Sequence, residues 1–357
     1  MPKKQEGTNS VRQYDLDFLR VIAIAAVVLI HCIAAVQFKP VDSAAWMTTN
    51  LLDSFIHWCV PVFVMISGAL LINERAYKNT GEFFKKRFSR IAIPLLIWPV
   101  VYYLAQVLLF SAPFKPRQFI TSFFAGNPLF GNHLYFLFLI AGLYAITPLL
   151  SAYISRVPRK HIWVAAIVIC LAATTWDALI DMKLMKLSLN MFTQGLPFVG
   201  YFLLGYLLKD TVLKPKQAKI TAAIFIGTSL LIAATAYYLT SQFDVHKGVR
   251  AYSYTYIFII ISSVAAFLLG RYVYNWNVRR LSKKALARLH TILRDLSAKS
   301  FGVYLVHFLI FNSLLHAWHL DRYSLKEMLF IFPVVVITSW IAVSLLRYMP
   351  KARYLLG

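Results

Sequence analysis

The stretch DLDFLRVIAIAAVVLIHC, residues 15–32, places an arginine and a histidine inside a strongly apolar segment. A charge and an imidazole are costly in a membrane helix, so each indicates a specific role there. Arg20 and His31 are eleven residues apart. This is close to three helical turns, so the two side chains share one face and lie about 16 Å apart along the axis. The spacing suits a long ligand that enters from one membrane surface and reacts deep in the protein.

Similar apolar stretches recur along the whole chain of 357 residues, of which 59% is hydrophobic and only 14% is charged. A soluble domain of this length would not have this composition, and apolar runs of 17 or more residues are typical of transmembrane helices. Ten segments are predicted: 16–38, 52–72, 91–111, 134–154, 162–180, 191–208, 220–240, 254–274, 301–318 and 329–346. The sequence therefore predicts an all-α polytopic membrane protein, with a membrane domain at 16–346 between short tails at 1–15 and 347–357.

The net charge of +23 does not indicate nucleic acid, because of how the basic residues are distributed. If the N-terminus is cytoplasmic and ten helices alternate, 28 of the 37 Lys and Arg residues lie inside and 9 lie outside. This asymmetry follows the positive-inside rule and predicts topology, and much of the basic charge would contact anionic lipid headgroups. We expect both tails in the cytoplasm, a multi-pass protein of the plasma or inner membrane, and no nucleic-acid partner.

The longest predicted cytoplasmic loop contains LSKKALARLHTILRDL at 281–296, with apolar residues at helical spacing. Such a basic amphipathic stretch is typical of a helix that lies on the membrane surface. We expect an interfacial helix here, resting on anionic lipid before the ninth membrane helix.

Ionisable groups recur at similar depth in the outer half of the predicted bundle. His31 lies about seven residues from the outer end of its helix, and His57 lies about five residues into the second. Asp53 precedes His57 by four residues and shares its helical face. Asp53, together with His133 and Asp177, is equally explained by headgroup contacts or interhelical hydrogen bonds, whereas the depth of His31 favours a functional role. The group predicts a polar pocket open to the outside.

A second polar group is predicted at the inner surface. Arg87 and Arg90 are three residues apart, and paired guanidinium groups are well suited to bidentate phosphate binding. Their position equally fits a positive-inside flank. Asp17 can pair with Arg20 on the first helix or cap that helix near its positive N-terminal dipole.

No motif for a covalent nucleophile or a phosphate-binding loop is found, and no Cys or His spacing indicates a metal site, so no metal is expected. His307 lies about seven residues into the ninth helix, with Tyr304 one turn away as a hydrogen-bond partner. It is either a packing histidine or a substrate contact. Base-assisted transfer by a histidine fits this inventory better than covalent or metal chemistry.

Six stretches in order along the chain carry a more specific signal. They are DLDFLRVIAIAAVVLIHC, VPVFVMISGALL, KKRFSRIAIPLLIW, HLYFLFLIAGLYAITPLL, FVGYFLLGYLL and SFGVYLVHFLIF. The first has an Arg-x10-His pattern, the third has an Arg-x-x-Arg pattern at Arg87 and Arg90, and the fourth has Tyr135 where Trp is common. Together they resemble the acyltransferase 3 family of integral membrane acyltransferases over nearly the whole chain. That family includes bacterial O-acetyltransferases of cell-surface polysaccharides.

The resemblance implies an acyl-CoA donor, usually acetyl-CoA, that binds from the cytoplasm and delivers its acyl group to a hydroxyl of an extracytoplasmic or membrane-borne glycan. Some members carry a fused extracytoplasmic SGNH-type domain that finishes the transfer. This chain has none in its sequence, so we expect it to complete the reaction itself or to pass the acyl group to a separate protein.

The resemblance also implies residue roles. Arg87 and Arg90, with Arg20, would hold the CoA phosphates, and His31 would be the general base on the acceptor hydroxyl. Arg20 and Asp17 complete the expected catalytic group with His31. The expected substrate contacts are Asp53, His57, His133, Asp177, Tyr304 and His307.

Two other functions share these features. A transporter or flippase would use the same inner and outer polar groups as a translocation path, because intramembrane ionisable residues mark transport as readily as catalysis. It should move substrate without consuming acyl-CoA. A membrane accessory protein would bind or take up the acyl donor but would produce no acylated glycan alone.

Overall fold

The computed structural model describes residues 12–185, 189–349 and 354–356, so most of the N-terminal tail and part of the C-terminal tail lie outside the described residues. Within these ranges the chain is helical and contains no strand. The α-helices are α1 Tyr14–Ile33, α2 Ala44–Ile56, α3 Cys59–Leu71, α4 Glu74–Lys78, α5 Thr80–Leu109, α6 Pro116–Phe124, α7 Tyr135–Ile154, α8 Arg159–Asp181, α9 Val199–Leu208, α10 Pro215–Gln242, α11 Val245–Val249, α12 Ile257–Val278, α13 Lys283–Ala317 and α14 Leu325–Tyr348.

Nine helical segments of the described chain are long and apolar enough to cross a membrane, which confirms the prediction of a polytopic all-α membrane protein. The sixth predicted segment differs. The apolar helix there spans only Leu196–Leu208. Thirteen residues reach about 20 Å, less than the roughly 30 Å hydrocarbon core of a bilayer. Nearly all of α9 is buried between α3 and α8, so this helix packs inside the bundle.

Two glycines set how closely α9 packs against α3. A Cβ added to Gly68 would lie 1.8 Å from the carbonyl oxygen of Phe202, and one added to Gly205 would lie 1.9 Å from that of Met65. Neither substituted side chain would fit without moving backbone. The two helices are therefore in backbone contact, as small residues allow at membrane helix crossings.

Two predicted boundaries change in the structure. The second membrane segment begins at Ala44 and is interrupted at His57 and Trp58, between α2 and α3. The stretch 281–296 is not a separate interfacial helix, because α13 runs through it without a break for 35 residues. A helix of that length reaches about 52 Å, so its first turns extend beyond the span that a bilayer requires.

The first helix occupies the centre of the bundle. It packs against α3, α12, α13 and α14, and its buried residues include Leu19, Ile24 and Val28. Arg20 and His31 share one side of α1 and are only half-buried. This arrangement brings the two predicted site residues toward the space between α1 and its neighbours.

Candidate active site

A cavity of about 600 Å³ lies among α1, α3, α5, α7 and α13. It runs along the helices, because α1 lines it from Arg20 to His31 and α13 lines it from Ser297 to Tyr304. We call one end the arginine end, formed by Arg12, Arg20, Arg87, Arg90 and Arg347. We call the other the histidine end, formed by His31, Cys59, His133, Tyr135, Tyr254 and Tyr304. The two predicted polar groups therefore belong to one continuous space.

A single carboxylate organises part of the arginine end. Asp17 accepts hydrogen bonds from Arg12 Nε at 2.5 Å and from Arg20 Nη1 at 3.3 Å. Ser297 on α13 donates to the same carboxylate at 2.6 Å and accepts from Arg20 Nη1 at 3.0 Å. Asp17 is fourteen residues from His31, about 21 Å along α1. Its contacts therefore hold Arg20 in place at the cavity wall and do not reach the imidazole.

The other arginines are less engaged. Arg347 donates to the carbonyl oxygen of Ala298 at 2.6 Å. Arg87 and Arg90 line the cavity from α5 and form no hydrogen bond or ion pair with any described residue. Guanidinium groups without a protein partner favour binding of an anion, and their fork geometry matches phosphate. The arginine end can therefore hold a ligand with several negative charges.

Three imidazoles meet at the histidine end. The ring centroid of His31 lies 5.7 Å from that of His133 and 5.2 Å from that of His307, and the latter two are 5.3 Å apart. Nδ1 of His307 contacts the carbonyl oxygens of Val303 and Tyr304 at 3.1 and 2.8 Å. A carbonyl only accepts, so Nδ1 carries the proton. In the described chain no group of three His, Cys, Asp or Glu side chains is arranged to hold a metal ion.

The three rings differ in access to the cavity. His133 has both ring nitrogens enclosed without a hydrogen-bond partner among the described residues, and Nε2 of His307 is enclosed in the same way. His31 lines the cavity, and its nitrogens are neither enclosed nor bonded to a described residue. A free imidazole nitrogen at an accessible wall can accept a proton from a bound hydroxyl. Of the three, His31 is the ring that a ligand can reach.

The Asp53–His57 pair lies behind the cavity wall, at the break between α2 and α3. His57 Nδ1 and Asp53 Oδ1 are 2.7 Å apart, and Gln37 Nε2 donates to the other carboxylate oxygen at 2.6 Å. The bond to the carboxylate fixes which imidazole nitrogen carries the proton. The ring of His57 stacks on Tyr254, with centroids 4.8 Å apart and planes 25° apart.

Asp177 is also outside the cavity. It accepts hydrogen bonds from the hydroxyls of Ser253 and Thr255, the latter at 2.6 Å. One turn further along α8, Asp181 accepts from Tyr256 at 2.6 Å and pairs with Arg250. These bonds fasten the segment 250–256, which we call the tyrosine segment, to the end of α8.

The cavity brings together only part of the predicted set. Its walls include Arg20, Arg87 and Arg90 at one end, and His31, His133 and Tyr304 at the other. The predicted residues that do not line it are Asp17, Asp53, His57, Asp177 and His307. Sequence reasoning missed Arg12, Arg347 and Tyr254. The aromatic run AYSYTY at 251–256 was the available signal for Tyr254, but aromatic residues are too common in this chain to indicate a site alone.

The chain matches the acyltransferase 3 family model, described as an acyltransferase domain, over residues 13–347. Because the match covers almost the whole chain, the protein belongs to this family and is a multi-pass membrane acyltransferase. Neither curated protein sequences nor solved structures give a match.

Proposed function

We propose that this member of the acyltransferase 3 family moves an acetyl group, or another acyl group, from cytoplasmic acyl-CoA to a hydroxyl of a cell-surface or lipid-linked glycan. One observation supports this proposal above all. A single cavity has, at one end, arginines with no partner among the described residues and, at the other, an accessible imidazole that is equally without one. Acyl-CoA has phosphates at one end and a thioester at the other, so its phosphates match the arginine end and its thioester matches the histidine end.

The donor would lie along α1. Arg87, Arg90 and Arg20 would bind the phosphates through charge-assisted hydrogen bonds. The pantetheine arm would follow the helix toward His31, over the roughly 16 Å that separates the two side chains along the axis. The positive-inside rule supports a cytoplasmic position for the arginine end, at the plasma or inner membrane, so that the donor would enter from the cytoplasm.

The reaction would use His31 as general base. Its free nitrogen accepts the proton of the glycan hydroxyl as the hydroxyl oxygen attacks the thioester carbonyl carbon. The tetrahedral intermediate then breaks its C–S bond, and the imidazolium returns the proton to the leaving thiolate. The products are the acyl ester and free CoA, so atoms and charges balance. His133 would lie on the acceptor side, and a separate extracytoplasmic protein could take over the acyl group.

The general-base role is tested by His31→Ala. We expect a loss of acyl transfer of about 10²–10⁴-fold, the usual contribution of general acid–base catalysis. The O-acetyl content of the surface glycan is measured by NMR in a deletion strain complemented with each variant, and membrane insertion is checked by detergent gel filtration. His316→Ala removes an exposed imidazole of α13 and is the matched control. Unchanged O-acetylation in the His31 variant contradicts the mechanism.

The donor site is tested by the double variant Arg87→Ala, Arg90→Ala. Acetyl-CoA binding to the purified protein, followed by calorimetry, should weaken at least tenfold, while binding of the glycan changes little. Lys85→Ala with Lys86→Ala removes the same charge from exposed positions of α5 that do not line the cavity. Equal effects of the two double variants would mean that charge alone matters and that the phosphate contacts are wrong.

A transport function makes a different prediction. In proteoliposomes loaded with glycan acceptor, an acyltransferase releases one CoA for each ester formed. A flippase moves the acceptor with no release of CoA. Acceptor movement in the absence of thioester consumption would favour that reading.

A further inference from the structure

The hydroxyl groups at the histidine end are not equivalent. Tyr304 donates its hydroxyl to the carbonyl oxygen of His133 at 2.7 Å, so its hydrogen is already used. The hydroxyl of Tyr135 is enclosed in the wall. Tyr254 lines the cavity, and its hydroxyl is not among the enclosed groups. It is therefore the phenol that a ligand at this end can contact.

The hydroxyl of Tyr135, the polar neighbour of Tyr254 in the wall, has no hydrogen-bond partner among the described residues. Each phenol has one hydrogen to donate. Because Tyr135 accepts no hydrogen bond, the hydrogen of Tyr254 is not used there. No other described residue bonds to the Tyr254 hydroxyl, so its hydrogen is available to the cavity.

Several contacts hold Tyr254 in one position. Tyr201 donates its hydroxyl to the carbonyl oxygen of Tyr254 at 2.6 Å. The residues on either side, Ser253 and Thr255, are bound to Asp177 on α8. The backbone of the tyrosine segment is therefore fixed before any ligand arrives.

The ring of Tyr254 is held as well. It stacks on His57, which is itself fixed by Asp53, and Asp53 by Gln37. A satisfied network of buried polar groups is rigid. Asp53 and His57, which lie behind the wall and do not line the cavity, thus hold the ring of Tyr254 in position.

We propose that Tyr254 donates a hydrogen bond to the acyl carbonyl oxygen during transfer, and that the Asp53–His57 pair positions the ring that carries it. This inference rests on the proposed acyl transfer. The carbonyl oxygen gains negative charge as the tetrahedral intermediate forms, and a donor held in advance stabilises that charge at no cost of reorganisation. The acceptor hydroxyl instead needs a general base that takes its proton, and His31 has that role.

Burial raises the pKa of Tyr254 well above its usual value. The phenol therefore keeps its proton at physiological pH and acts by hydrogen bonding. No proton leaves Tyr254 in the reaction, so the bonds made and broken are those of the transfer itself.

Tyr254→Phe tests the donor. We expect kcat to fall about 10²–10³-fold, the usual effect of removing one such donor, while KM for acetyl-CoA changes less than twofold. Tyr238→Phe removes a hydroxyl from an exposed position of α10 and is the matched control. A loss in Tyr135→Phe with none in Tyr254→Phe would overturn the assignment.

A spectroscopic measurement tests the contact without turnover. Purified protein is saturated with acetyl-CoA labelled with ¹³C at the carbonyl, and the carbonyl stretch is recorded by infrared difference spectroscopy. A hydrogen bond lowers that frequency, so wild type should absorb at a lower frequency than Tyr254→Phe. Identical spectra overturn this inference alone, whereas failure of the wild type to bind acetyl-CoA overturns the donor assignment and the inference together.

The positioning role of Asp53 is tested by combining its substitution with that of Tyr254. Asp53→Asn should lower kcat about tenfold at constant KM in the wild type, and it should have no further effect on Tyr254→Phe, because residues that act through one contact are not additive. If the two losses multiply, Asp53 does not act through Tyr254. Asp42→Asn, at an exposed position before α2, serves as the control.

Discussion

The two ends of the cavity differ in how their polar groups are satisfied. At the arginine end, the charges of Arg87 and Arg90 have no partner among the described residues. At the histidine end the unpartnered groups are imidazoles and phenols, while the carboxylate closest to that end, Asp53, is bound on both oxygens. Burying an unpaired charge costs far more than burying an unpaired neutral group. Free charge is therefore kept near the surface, and free neutral donors and acceptors are kept deep.

The largest effect is expected where an arginine loses its buried partner. Arg271 forms a buried ion pair with Asp15 at 2.7 Å, with about a tenth of each side chain exposed. Asp15→Ala should destabilise the protein by about 3 kcal/mol, because it leaves a buried charge alone. The thermal unfolding midpoint in detergent measures this. Arg87→Ala should leave the midpoint unchanged, and restoring the midpoint by adding Arg271→Met to Asp15→Ala would show that the lone charge is the cause.

The next largest effect is expected at the hydrogen bonds that hold the tyrosine segment to α8, near the histidine end. Asp177→Ala removes the acceptor of two hydrogen bonds that hold the tyrosine segment. A hydrogen bond to a charged group contributes about 1.5–3 kcal/mol, so local opening should become at least tenfold more frequent. Amide hydrogen exchange of residues 250–256 should rise accordingly, with no change in α1. Exchange that stays at the wild-type rate would show that α8 does not hold this segment.

A smaller effect is expected from ionic strength, which should weaken binding at the arginine end and leave binding at the histidine end unchanged. The exposed cations of the arginine end are screened by salt, since the Debye length falls from about 10 Å at 0.1 M to about 3 Å at 1 M. KM for acyl-CoA should rise several-fold over that range, whereas KM for a neutral glycan acceptor should stay constant. Steady-state assays at both salt concentrations check this, and a parallel rise of the two values would contradict it.

The smallest effect is expected at Tyr304. Tyr304→Phe removes one neutral hydrogen bond, from its hydroxyl to the carbonyl oxygen of His133 at 2.7 Å. Such a bond contributes about 1 kcal/mol net, so the unfolding midpoint should fall by only a few degrees. A collapse of stability would mean that this bond holds His133 and its helix far more strongly than its chemistry suggests.

The sequence predicted the fold class and the two ends of the cavity because both rest on local patterns. Apolar length gave the helices, and the eleven-residue spacing placed Arg20 and His31 on one face of α1. Local patterns failed where tertiary packing decided the outcome. The short α9 is stable as a buried helix because α3 and α8 cover it. The stretch 281–296 continues into the membrane segment because nothing in its sequence ends the helix.

The same distinction applies to the site residues. Arg87 and Arg90 were identifiable from their spacing, whereas Arg347 and Tyr254 reach the cavity only through contacts between segments far apart in the chain. Asp53 and His57 were correctly expected on one helical face, and they do pair. Their position behind the wall depends on the break after α2. No periodicity in the sequence specifies that break.

The close glycine contact between α3 and α9 influences the width of the cavity. Helix α3 forms one wall along its length, from Cys59 to Leu71, and α9 supports that wall from behind. With Gly68 and Gly205 the two backbones touch. A side chain at either position would force α3 and α9 apart, and any shift of α3 toward α1 would narrow the space between them. Two residues that do not line the cavity thus help to set its width.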